Sequence, residues 1–192
     1  AVECGFASVC VPPRFVAQAA GLLYGSAVKT GTVIGFPLGY ETVLIKSEQA
    51  SQAVQLGAEE IDMVIPLGAA RAGRFDEVAA DVRAVVDNAK GRTVKAIIEC
   101  CLFDDPTKRQ LLEAVVAGGA HYVKTSTGFA SVGAVPDDVR LLSAAAAGRV
   151  RVKAAGGIRD WTACRGFLEA GAARIGTSAG VAILAQWKEH AN

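Results

Sequence analysis

The chain has little of what marks a metal centre, a disulfide framework or a charged docking surface. Histidine occurs only as His121 and His190, and neither falls in an H-E-x-x-H or Cys/His spacing, so no metal is expected. The five cysteines, Cys4, Cys10, Cys100, Cys101 and Cys164, form an odd set without a C-x-x-C pair. Reduced, buried thiols explain them more simply than disulfides. The formal net charge is +1 and 20% of residues are charged, which gives no reason to expect nucleic acid or an anionic membrane as partner. No run approaches the roughly eighteen apolar residues of a membrane span. The opening AVECGFASVC lacks the basic start and long apolar stretch of a signal peptide. These absences leave a cytoplasmic protein with a small-molecule ligand as the expectation, and a homodimer as the commonest assembly for one that oligomerises.

What is present is a regular alternation. At 192 residues, 52% of them apolar, the chain is long enough for one domain with a substantial core. Strand-forming runs recur about every 25 to 30 residues, the length of a strand plus a helix. They are Ala7 to Val11, Thr32 to Phe36, Glu60 to Ile65, Val94 to Cys100, Tyr122 to Ser126, Arg151 to Ala155 and Arg174 to Thr177. Between them lie stretches such as FDEVAADVRAVVDNAK and DPTKRQLLEAVVAGGA, whose apolar residues stand three and four apart and predict helices. Strict alternation implies a parallel sheet with helices outside, either open or closed as a (β/α)8 TIM barrel. Nearly every run carries an unusual residue near its end, as a barrel would gather them, so the barrel is the predicted fold. Only seven runs are visible where a barrel needs eight. The first strand is therefore expected to be missing, which makes residues 1–192 a single, N-terminally incomplete barrel domain. The glycine-rich turns after the last two runs match the place where barrels bind phosphate, which registers the runs as strands two to eight.

Side chains alternate along a strand, so Lys124 in YVKTS and Lys153 in RVKAA both point opposite to their apolar neighbours, into the barrel. An ammonium removed from water must find a partner or lose its proton. Desolvation and a second nearby cation both favour the free amine, which is the nucleophilic form. Asp62, inside the apolar run EIDMV, points the same way and could either relay protons or simply pair with a lysine. Lys95 and Glu99 share a strand face by their even spacing and could pair with each other or extend the lysine set. Cys10 reads more readily as a packing residue than as part of the site. Arg159 is either a phosphate contact or a solvated side chain at a helix start.

The segments GFASVCVPPRFV, TVIGFPLGY, GAEEIDMVI, VKAIIECCLF, YVKTSTGF, VKAAGGIRD and RIGTSAGVAI together resemble the deoxyribose-phosphate aldolase family, in order and over almost the whole chain. The resemblance implies a class I aldolase that needs no metal or organic cofactor. Lys124 would form the Schiff base, Lys153 would be the neighbouring cation that favours its free amine, and Asp62 would be the proton-relay carboxylate. The implied reaction is reversible cleavage of 2-deoxyribose 5-phosphate to acetaldehyde and glyceraldehyde 3-phosphate. Its sugar-phosphate substrate would rest its phosphate on Gly128, Gly156, Gly157, Ile158, Gly176, Thr177 and Ser178. Ala179 stands where many relatives carry a second serine. Two other readings remain open from the residues alone: a phosphosugar isomerase on the same scaffold, and an inactive barrel that keeps only phosphate binding.

Overall fold

The computed structural model describes residues 1–191, so residue 192 of the expected domain lies outside the described residues. Seven parallel strands form one sheet in sequence order: β1 (Ser8–Val11), β2 (Lys29–Ile34), β3 (Glu60–Val64), β4 (Thr93–Ile97), β5 (Tyr122–Lys124), β6 (Arg151–Ala155) and β7 (Arg174–Gly176). The connecting helices are α1 (Val16–Leu22), α2 (Val43–Gln55), α3 (Leu67–Arg71), α4 (Phe75–Asn88), α5 (Asp105–Gly118), α6 (Pro136–Ala146) and α7 (Trp161–Glu169), and α8 (Gly180–Ala191) follows β7.

The strands alternate as their sequences predict. Ile61, Met63, Val94, Ala96, Val123, Val152 and Ala154 join the main buried cluster with Val78, Val82, Leu111, Leu112 and Leu142 from the helices. The core therefore lies between sheet and helices, and the intervening positions Asp62, Lys95, Lys124 and Lys153 share the other face. Those four come from β3, β4, β5 and β6, yet their charged tips meet, which requires the sheet to curl. The result is a curled half-barrel. Among the described residues no ladder joins β7 to β1, but Arg174 of β7 donates to Ser8 Oγ of β1 at 3.2 Å, which brings the two edges near each other.

Local chemistry sets the helix boundaries. Thr42, Asp104 and Asp160 cap α2, α5 and α7 by accepting from the backbone N–H three residues on, which satisfies a donor the helix leaves free. Two expected boundaries move by three residues, and several others by one or two. The second strand begins at Lys29 rather than Thr32, because the ladder with β1 pairs Ser8 with Lys29. The fourth ends at Ile97, because Glu99 takes a left-handed backbone with φ of 50° and a short 3-10 turn follows.

Candidate active site

Asp62 stands at the centre of the concave face, 2% exposed. Its Oδ2 accepts from Lys124 Nζ at 2.8 Å and from Lys153 Nζ at 2.6 Å, while Oδ1 accepts from Lys95 Nζ at 2.9 Å. The β5 and β6 ladder sets Lys124 beside Lys153, and the β3 and β4 ladder sets Asp62 beside Lys95. The three residues singled out from sequence therefore meet, and the two expected amines share one carboxylate oxygen.

Burial alone would raise the Asp62 carboxyl, but the charges of Lys124, Lys153 and Lys95 outweigh it and hold the group well below the usual carboxylate range. Burial also holds the Lys153 amine below the usual lysine range. Lys124 and Lys95 push it the same way, against the pull of Asp62. A protonated amine is thus least costly to neutralise where cations outnumber carboxylates and water is excluded.

Lys95 is the residue that sequence reasoning left without a role. It does extend the lysine cluster, and it does not pair with Glu99. Lys95 instead bridges Asp62 and Glu60, the latter at 2.8 Å. Glu99 accepts from the backbone N–H of Thr127 at 3.1 Å and from the Thr127 hydroxyl, so it anchors the segment after β5. Cys10 is also corrected: it is exposed on the concave side, with Asp62 and all three lysines near enough to act on its thiol. Arg159 is exposed just ahead of the Asp160 cap.

The expected phosphate residues gather around the turns after β5, β6 and β7. Gly156 is packed against Gly128 and Gly133. A methyl group built on Gly133 would lie 2.3 Å from the Gly156 carbonyl oxygen, and one on Gly156 would lie 3.4 Å from the Gly128 Cα. Ala134 N–H donates to that same carbonyl at 3.0 Å. Gly157 faces open space with φ of 79°, and Ile158 is buried. The Thr177 hydroxyl donates to the Ile158 carbonyl at 2.6 Å and accepts from Ala179 N–H at 2.9 Å, so it ties the turn after β6 to the start of α8. Ser178 is exposed beside it. Gly176 leaves room for the Lys153 stem, since a methyl group there would stand 3.0 Å from Lys153 Cε. Among the described residues no group of three or more His, Cys, Asp or Glu side chains is arranged to hold a metal. A cavity of about 230 Å³ lies apart from the lysines, between the end of β2 and α2, where Glu41, Gln49 and Ala53 help line it.

A curled parallel sheet with flanking helices, carrying buried amines around one carboxylate on its inner face, defines an enzyme scaffold suited to carbonyl chemistry. The comparisons narrow the class. Residues 1–187 match the family model described as DeoC/LacD family aldolase. The chain is 58% identical over 184 residues to the deoxyribose-phosphate aldolase of Syntrophotalea carbinolica, covering 96% of this chain and 83% of that protein. It is 50% identical over 185 residues to the enzyme of that name from Geobacillus, again covering 96% and 83%. The deoxyribose phosphate aldolase of Aeropyrum pernix, described as a tetramer, has a structure with a TM-score of 0.90 at 35% identity, over 97% of this chain and 79% of that one. An aldolase structure called QR15 gives 0.94 at 36% identity, over 99% and 85%. The chain belongs to the DeoC/LacD aldolase family and is an aldolase.

Proposed function

We propose that this aldolase cleaves 2-deoxyribose 5-phosphate reversibly to acetaldehyde and glyceraldehyde 3-phosphate through a Schiff base on Lys124. The observation that carries the reading is the sharing of Asp62 Oδ2 by two buried amines. The Lys124 amine adds to the aldehyde carbon, and loss of water gives an iminium. The C2–C3 bond then breaks as the C3 hydroxyl gives up its proton, and the electron pair moves into the iminium to leave an enamine and glyceraldehyde 3-phosphate. Protonation of the enamine carbon and hydrolysis release acetaldehyde and restore the amine. Lys153 and Asp62 would move these protons, because a group within hydrogen-bond reach of the reacting amine is within reach of its adducts.

The substrate's phosphate is assigned to the turns after β5, β6 and β7. Gly128, Gly156, Gly157, Ile158, Gly176, Thr177 and Ser178 would present backbone N–H groups and hydroxyls near the start of α8, whose dipole favours an anion. The curl of the sheet supports a (β/α)8 barrel in which one further strand fits between β7 and β1. A sugar phosphate as the only ligand, a homodimer and a cytoplasmic location complete the proposal. The Aeropyrum pernix relative supports self-association, and the five free cysteines support a reducing compartment. Borohydride reduction in the presence of acetaldehyde tests the central claim. The expected product is one covalent adduct whose peptide map places it on Lys124, and absence of that adduct from protein that cleaves the sugar phosphate overturns the reading. Lys124→Arg keeps the charge but cannot form the imine, so it should abolish both cleavage and adduct.

A further inference from the structure

Three amines surround Asp62, but they divide its oxygens unequally. Lys124 and Lys153 both use Oδ2, and Lys95 alone holds Oδ1. The terminal torsion of aspartate is soft and roughly two-fold, so a carboxylate held through one oxygen turns easily. With Oδ1 bonded to Lys95, any such turn breaks a charge-assisted hydrogen bond, and Oδ2 stays aimed at the two amines.

Lys95 is itself held. Its amine bonds Glu60 Oε2 at 2.8 Å, Glu60 takes Arg174 at 3.3 Å, and Arg174 continues to Ser8 at 3.2 Å. Glu60 precedes Asp62 by two residues on β3, so this chain of alternating charge runs back toward the strand beginnings, away from the turns that would hold phosphate. Lys95 is 1% exposed and its amine is engaged by both Glu60 and Asp62, so it acts through Asp62. Burial pulls its amine downward, but Asp62 and Glu60 outweigh burial and keep it cationic, whereas at Lys153 burial prevails. The groups that bear on Lys95 are Asp62 and Glu60 from β3, Lys124 from β5, Lys153 from β6, Arg174 from β7 and Cys10 from β1.

We propose that Lys95 is a positioning residue for the aldol reaction: it fixes Asp62 through Oδ1 so that Oδ2 serves Lys124 and Lys153, and it supplies a permanent positive charge behind them. This rests on the roles given above to Lys124, Lys153 and Asp62. Glu60 and Arg174 complete the support as a buried brace.

The test compares Lys95→Met with Lys95→Gln, after borohydride mapping of the parent. Lys95→Met removes both the charge and the bond to Oδ1. It should lower kcat about tenfold or more, the size expected for a misplaced catalytic group. KM should stay within about twofold, because Lys95 acts through Asp62. The acid limb of the kcat profile should move up by about one pH unit, because Lys95 no longer helps to hold the Lys153 amine below its usual range. Lys95→Gln still offers a donor to Oδ1, so it should regain most of kcat while keeping the displaced acid limb. A parent without an adduct on Lys124 sinks the underlying aldolase reading. A parent with that adduct, alongside variants whose kcat falls only with the folded fraction and whose acid limb stays in place, overturns the role of Lys95. If Lys95→Met does not fold, the acid limb of Lys95→Gln decides alone.

Discussion

Two neighbourhoods in which lysines are buried against carboxylates differ in sign. On the concave face, Lys95, Lys124 and Lys153 crowd onto Asp62, so cations are in surplus. Between the sheet and the helix layer, Lys46 of α2 bonds Asp81 of α4 at 2.9 Å and the Val64 carbonyl at 2.9 Å. Glu41 lies close enough to Asp81 to act on its charge, and one buried oxygen of each carboxylate has no hydrogen-bond partner. Here carboxylates are in surplus. The protonation follows: the Lys153 amine is lowered, whereas the Asp81 carboxyl is raised by burial and further by Glu41, against Lys46. Burial of a lysine is thus not what marks a reactive site. Burial drives both groups toward their neutral forms, and the surrounding charges set how far the paired ion offsets it.

The largest effect that would break this contrast is at Asp62. Asp62→Asn leaves three amines around a neutral side chain, so cleavage should fall about a thousandfold, within the range for losing a proton-transfer group. Stability should fall by ~3 kcal/mol, the scale for uncompensated buried charge, read by urea unfolding at neutral pH. The folded-state value of Asp62 is depressed, so its contribution is fully present above the ordinary aspartate value of about 3.9 and is lost as pH falls toward the depressed one. The stability gap between parent and Asp62→Asn should therefore be flat near neutrality and close in acid. Next comes Lys46→Met, which leaves Asp81 without its cation beside Glu41 and should also cost ~3 kcal/mol. Its kcat per folded molecule should remain within about twofold of the parent, because the site is separate from the cluster. A large kcat loss would show that the two neighbourhoods are coupled. The smallest effect is expected from Asp81→Asn, which removes the surplus charge yet can still accept from Lys46, with neutral-pH stability within ~1 kcal/mol of the parent. A raised folded-state value means that the Asp81 contribution is complete below the ordinary aspartate value and is lost as pH rises through the raised one. Relative to Asp81→Asn, the parent should lose stability across that interval and hold level above it, and a constant difference would remove the proton from Asp81.

The strands that carry Asp62, Lys124 and Lys153 were legible because EIDMV, YVK and RVK alternate one polar with one apolar residue, and such a period leaves only one face for the charges. The family resemblance attached an activity to that face. Lys95 had the right face as well, but only the pairing of β3 with β4 shows that its partner is Asp62 rather than Glu99. Glu99 defeats a strand reading because its backbone turns left-handed just after β4. The start of β2 was hidden because Lys29 and Gly31, which have weak strand preference, flank Thr30, and the neighbouring ladders hold them in place. Lys46 and Asp81 lie on different helices, 35 residues apart, and no local period connects them.

The contact between Gly133 and Gly156 reaches beyond ligand binding. The two strands that present Lys124 and Lys153 end in segments whose main chains touch, with Ala134 hydrogen-bonded across the join. Lengthening either segment to admit a bulkier aldehyde would drag the other along and tilt both amines together. The stretch after β2 is bound in the same way, since a methyl group on Gly39 would lie 2.0 Å from the Ile65 carbonyl oxygen, just beyond the strand that carries Asp62.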